Sequence, residues 1–202
     1  MSHAANLSLL ITGVCNRKCL HCHNRVPIGD ALPRQHMTLD ELGDIAEKFR
    51  PLDQLYISGG EPTLHPQFRE IAVHAREWFG ANTLTLVSNG FKLLDYRDVW
   101  ERFDDIWVTD YADDEHAQES IAALAELGRV FRRVTSDHRP MVSNGNVGPC
   151  ERKDIATYNA GRLWPCCVAP GLPGSTSTPL MANWRDELER LPLACSVCPF
   201  AE

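Results

Sequence analysis

Three cysteines, Cys15, Cys19 and Cys22, stand at spacings of four and then three in the stretch GVCNRKCLHCHNR. Thiolates are soft donors that suit zinc, copper(I) and iron–sulfur clusters. Structural zinc and cubane clusters both normally take four protein ligands. Three thiolates therefore leave one metal position for an exogenous molecule, as catalytic metal sites do. The spacing alone also admits a structural metal knuckle closed by a distant fourth cysteine. Candidates for that role exist: Cys150, Cys166, Cys167, Cys195 and Cys198 all lie near the C-terminal end, and residues 23–149 contain no cysteine.

The surrounding chain must position such a loop. Its 202 residues suit one domain or one domain with a small appendage. A formal net charge of −7 argues against non-specific binding to nucleic acid or an anionic membrane. The N-terminal stretch has a short apolar run and no basic segment before it, so no signal peptide is expected. No stretch reaches the roughly 18 apolar residues of a membrane span. The expected location is the cytoplasm, where cysteines serve as metal ligands or redox groups more often than in structural disulfides.

Apolar patterning predicts strands at Leu7–Thr12, Gln54–Ser58, Thr83–Ser88, Asp105–Asp110 and Arg129–Ser136. Helices are predicted between them: Thr38–Arg50, with Thr38 and Glu41 as a capping box, then Pro66–Phe79 with proline in the first turn, a short one in DYRDVWERF, and one closed by Gly128. Five alternations of strand and helix imply parallel strands with crossover helices. In such folds the site lies at the C-terminal ends of the strands. The polar, glycine-containing stretches follow those ends: the cysteine loop, SGGEPTLHP, VSNG and TDYADDEH. No dinucleotide-binding or Walker A glycine pattern is present. His65 and His74 do not stand at a paired metal spacing, and His74 reads as a core-edge or surface residue. From about residue 140 cysteine, glycine and proline become dense. Only Asn183–Leu191 reads as helical there, so a small C-terminal unit needing a staple is expected.

Cys15, Cys19 and Cys22, in the C-x3-C-x2-C pattern after the first strand, resemble the signature of the radical S-adenosylmethionine (radical SAM) superfamily. The resemblance implies an α/β fold, a partial (β/α)5–6 barrel over residues 1–140, with a 4Fe–4S cluster on the three cysteines. The fourth ligand is then S-adenosylmethionine itself, through its amino and carboxylate groups. His21, before the last cysteine, is the residue expected near the adenine. YISGGEP resembles the family's glycine-rich loop, which places Gly59, Gly60 and Glu61 at the methionyl amino group. By the same resemblance Ser88, Asn89 and Asp110 are candidates for the carboxylate or ribose.

The C-terminal pattern, Cys150 followed by ten residues, Gly161, four residues and Cys166, then Cys195 and Cys198, resembles the SPASM and twitch appendages of that superfamily. Over residues 141–202 it implies one auxiliary 4Fe–4S cluster on Cys150, Cys166, Cys195 and Cys198; a zinc-ribbon-like site is the alternative on spacing alone. Cys167 is left over, as an alternative ligand, a bystander or a hydrogen-atom donor. The implied activity is reductive cleavage of S-adenosylmethionine to a 5′-deoxyadenosyl radical that takes a hydrogen atom from a substrate. The first expectation is oxidation of a small alcohol or sugar-like molecule, with the auxiliary cluster as electron acceptor. Thioether or carbon–carbon crosslinking of a peptide, and epimerisation with Cys167 as donor, are alternatives. The expected partners are a small-molecule or peptide substrate and an electron donor such as flavodoxin or ferredoxin. A reading of another class is a non-catalytic iron–sulfur electron carrier or zinc module, which needs no S-adenosylmethionine pocket.

Overall fold

Strand and helix alternate along the chain as the apolar pattern predicts. The computed structural model describes residues 6–19, 22, 36–128, 131–135, 155–159, 162–164 and 178–179. The order is β1 (Asn6–Leu10), α1 (Leu39–Phe49), β2 (Leu52–Ser58), a 3₁₀ turn (Pro62–Leu64), α2 (Phe68–Phe79), β3 (Ala81–Ser88), a 3₁₀ segment (Leu93–Arg102), β4 (Asp105–Asp110), α3 (Glu115–Glu126) and β5 (Phe131–Thr135). Three further strands follow: β6 (Ile155–Asn159), β7 (Arg162–Trp164) and β8 (Thr178–Pro179).

The described strands form one sheet in the order β5-β4-β3-β2-β1-β6-β7-β8. All pairs from β5 through β6 are parallel; β7 and β8 are antiparallel additions. This is the α/β architecture with parallel strands that the alternation implies, and the partial barrel that the family resemblance implies. Parallel pairing places the C-terminal ends of β1 to β4 along one edge of the sheet, with the loops that follow them.

Helices cover one face. Leu7, Leu9, Leu55, Ile57, Leu84, Leu86, Ile106 and Val108 point into a core completed by Phe49 of α1, Phe68 and Phe79 of α2, Trp100, and Leu124 of α3. The capping box at α1 forms as predicted: the Glu41 N–H donates to Thr38 Oγ1 at 3.2 Å, and the Thr38 N–H to Glu41 Oε2 at 2.7 Å. Removing that cap with Thr38→Ala will cost about 1 kcal/mol. Thermal unfolding will register it as a fall of roughly 2–4 °C, and an unchanged midpoint would mean the helix end is held otherwise.

The structure departs from the predicted elements in three places. Helix α2 begins at Phe68, with Gln67 as its N-cap, so Pro66 lies ahead of the helix rather than in its first turn. DYRDVWERF, predicted as a short helix, is 3₁₀ up to Arg102, broken at Tyr96 and capped by Phe103. Strands β6 to β8 lie where no strand pattern was expected; β6 gains its place by pairing with β1, Leu7 against Ala156 and Leu9 against Tyr158.

The other face of the sheet carries a polar row. Register places Thr157, Ser8, Tyr56, Thr85 and Asp105 side by side across five strands. Ser8 and Ser58 hydroxyls meet at 3.3 Å, and Gln54 Nε2 donates to Thr85 Oγ1 at 3.4 Å. Thr157 Oγ1 and Asp105 Oδ1 are buried without a hydrogen-bond partner among the described residues.

Candidate active site at the strand ends

The cysteine loop leaves β1 at Ile11 and is fastened at once. Ile11 donates to Ser58 O at 3.0 Å, and Met37 returns to donate to Ile11 O at 2.8 Å. Thr12 Oγ1 accepts from the Val14 N–H at 3.0 Å and meets His36 Nδ1 at 3.0 Å. His65 secures the same corner: its Nε2–H donates to Met37 O at 2.8 Å while Nδ1 accepts from the Gln67 N–H at 3.0 Å. Burial holds this ring below the ordinary histidine range, so it is neutral, with the proton on Nε2.

The Gly-Gly-Glu-Pro loop lies directly on the cysteine loop. Gly60 donates to Thr12 O at 2.7 Å and Glu61 to Val14 O at 2.8 Å. The two glycines are there because backbone meets backbone. A Cβ on Gly59, which has φ +145°, would sit 2.4 Å from Thr12 O, and one on Gly60 would sit 2.3 Å from Val14 O. The close approach made here is thus to the main chain that carries Cys15.

Glu61 is fully buried. Its Oε1 accepts from Thr63 N at 3.1 Å, Thr63 Oγ1 at 2.6 Å and Ser88 Oγ at 2.8 Å; its Oε2 accepts from Asn89 N at 2.7 Å. The carboxylate thereby joins the ends of β2 and β3. Burial pushes its pKa above the ordinary carboxylate range, against the four donors, which favour the charged form. No ion pair satisfies it among the described residues.

Ser88 is spent on this hub, donating to Glu61 and accepting from the Gly90 N–H at 2.9 Å. Asn89 turns toward the cysteines: its Nδ2 donates to Asn16 Oδ1 at 2.9 Å and reaches Cys15 Sγ at 3.7 Å. Asp110, at the end of β4, accepts from Gln118 Nε2 at 2.7 Å. Residues that sequence reasoning missed complete the rim. Tyr111 Oη meets Cys19 Sγ at 3.3 Å, the Arg17 guanidinium lies 3.6 Å over the Tyr111 ring, and Arg17 pairs with Asp114, which also caps α3. Only the polarity of TDYADDEH pointed toward Tyr111 and Asp114, and Arg17 featured only as part of the cysteine spacing.

Cys15, Cys19 and Cys22 are each half-buried. They do not converge with one another, or with any His, Asp or Glu of the described residues, as ligands of one metal ion would. A cubane cluster asks for something different, because each thiolate binds its own iron. The donor set, all sulfur and one short of four, therefore fits a 4Fe–4S cluster with an open iron. Burial pushes the Cys15 thiol up to about 11, so in the metal-free protein it is protonated, and a metal must displace that proton.

Residues 9–112, from β1 to just past β4, match the family model of the radical SAM superfamily. The chain belongs to that superfamily. A radical SAM domain implies the cluster and S-adenosylmethionine, and the fastened cysteine loop lies inside the matched stretch. Among curated relatives, the GTP 3′,8-cyclase of Actinobacillus pleuropneumoniae serotype 5b (strain L20) is 32% identical over 101 residues, 48% of this chain and 29% of that protein. The probable GTP 3′,8-cyclase of Archaeoglobus fulgidus is 29% identical over 93 residues, 45% of this chain and 29% of that protein. The matched stretch thus spans under a third of the length of these relatives. Among solved structures, BtrN in complex with AdoMet and 2-DOIA superposes with a TM-score of 0.69 at 14% identity, covering 92% of this chain and 82% of that one. That likeness shows the shared radical SAM fold.

His21, Cys150, Cys166, Cys167, Cys195 and Cys198 lie outside the described residues. So does the boundary expected at residue 140. No described helix is long and apolar enough to cross a membrane.

Proposed function

We propose that this radical SAM protein is an enzyme whose Cys15, Cys19 and Cys22 hold a 4Fe–4S cluster, with S-adenosylmethionine completing the coordination. The observation that carries the reading is the seam between the two loops: Gly60 and Glu61 donate into the loop that bears Cys15. What such a cluster supplies is one electron for cleavage of S-adenosylmethionine to methionine and a 5′-deoxyadenosyl radical. The protein's part is to orient and to exclude water. The loop of Gly59, Gly60 and Glu61 serves the methionyl ammonium, and the Glu61 carboxylate, fully buried on its four donors, holds that loop in place. Asn89 and Ser88 hold the seam in register. Asp110 serves the ribose or carboxylate, and His21 the adenine.

The proposed net reaction is oxidation of a small alcohol or sugar-like substrate. A second cluster on Cys150, Cys166, Cys195 and Cys198 is the proposed electron acceptor, and flavodoxin or ferredoxin the donor to the first. Support for a polar substrate comes from the sheet face away from the helices. Closed barrels fill that face with branched apolar side chains; here it carries Ser8, Ser58, Gln54, Thr85, Asp105 and Thr157.

The test is anaerobic. Protein reconstituted with iron and sulfide, reduced and given S-adenosylmethionine will form 5′-deoxyadenosine; the Cys15→Ala, Cys19→Ala, Cys22→Ala variant will form none. Equal product from both would sink the reading. Full cluster loading without S-adenosylmethionine binding would favour an electron carrier.

A further inference from the structure

Cys19 has side-chain neighbours of its own, Tyr111 from the far side of the site and Arg17 from its own loop. Tyr111, the residue after β4, places Oη 3.3 Å from Cys19 Sγ. Arg17 lies 3.6 Å over the face of that ring, which brings its positive charge close to the same sulfur. The guanidinium is tethered by Asp114, with Asp113 at 3.8 Å. Asp114 is in turn fixed because its other oxygen accepts from the Ala117 N–H at 3.2 Å, at the start of α3. Cys15 meets different donors, the Arg17 N–H at 3.4 Å and Asn89 Nδ2 at 3.7 Å.

We propose that the Tyr111 hydroxyl and the Arg17 guanidinium act on Cys19 as a pair that raises the reduction potential of the cluster. The proposal rests on the reading that Cys15, Cys19 and Cys22 hold it. A ligating thiolate carries no proton, so the phenol is the donor in this contact. Hydrogen bonds to cluster sulfurs and nearby positive charge stabilise the reduced form, which carries one more negative charge. Tyr111 and Arg17 are positioning residues here: they act through Cys19.

A redox titration followed by electron paramagnetic resonance tests this on the full, reconstituted chain. The signal to follow is the one absent from the Cys15→Ala, Cys19→Ala, Cys22→Ala variant. Tyr111→Phe keeps the ring under Arg17 and removes only the hydroxyl. Its midpoint will move to more negative potential, by up to about 59 mV if the reduction equilibrium changes tenfold, at unchanged iron content. Arg17→Gln, which leaves the hydroxyl, will move the midpoint in the same direction. Midpoints equal to wild type in both variants overturn the proposal. So does loss of the cluster from folded Tyr111→Phe, which would make the residue a structural support. A wild type that shows no such signal overturns the cluster reading itself, and the proposal with it.

Discussion

Replacing Glu61 by alanine will destabilise the protein by on the order of 3–5 kcal/mol. The carboxylate is fully buried and takes four donors, from Thr63 N, Thr63 Oγ1, Ser88 Oγ and Asn89 N. Alanine leaves those donors in a space that water does not reach, at about 1–3 kcal/mol for each one left unpaired, with relaxation recovering part of the sum. Against a total stability of about 5–15 kcal/mol, that is a large fraction. Glu61→Gln will cost less, because the amide keeps the shape and one accepting oxygen. Urea unfolding followed by circular dichroism measures both. An alanine variant within about 0.5 kcal/mol of wild type would mean that the carboxylate does not join β2 to β3.

Gly60→Ala will impair assembly of the site while leaving most of the sheet intact. The added Cβ would lie 2.3 Å from Val14 O, 2.7 Å from Val14 C and 3.1 Å from Cys15 Cβ. These are main-chain and near-main-chain atoms, so relief requires the cysteine loop to move. Overpacking of this kind costs about 1–3 kcal/mol. It also displaces Cys15 and breaks the bond from Gly60 N to Thr12 O. Iron bound after reconstitution will fall by roughly tenfold, the equilibrium change that about 1.4 kcal/mol produces, and 5′-deoxyadenosine formation will fall with it. Gly43→Ala is the matched control: a Cβ there meets nothing within 4 Å, inside α1. It will stabilise the protein by about 0.5–1 kcal/mol. Full iron binding by Gly60→Ala would show that the seam between the loops is not needed.

Both substitutions act at contacts whose chemistry was half visible in the chain. Gly-Gly-Glu-Pro stood out as a loop made for close approach. That the surface approached is the cysteine loop, and that Glu61 satisfies the ends of two strands, depends on partners 2, 27 and 28 residues away along the chain. Ser88 and Asn89 were singled out for position and polarity. Their observed bonds go to Glu61, Asn16 and Cys15, and each bond became possible only when parallel pairing set β3 beside β2.

What the amino-acid sequence determined by itself is local or periodic. The cysteine spacing sets the ligand chemistry, since thiolate softness and ligand number do not depend on the fold. The capping box at Thr38 forms because donor and acceptor stand three residues apart. Alternation of apolar strands and helices dictates parallel pairing, and with it the common edge where the loops meet. The tertiary structure decided the rest. Cys19 meets Tyr111 across 92 residues, and Arg17 meets Asp114 across 97. No local propensity encodes such pairs; they follow from strand order and register. Strand β6 is the same case: Ile155, Thr157 and Tyr158 of IATYN favour a strand, but nothing local says which strand it joins, and its place is set by pairing with β1.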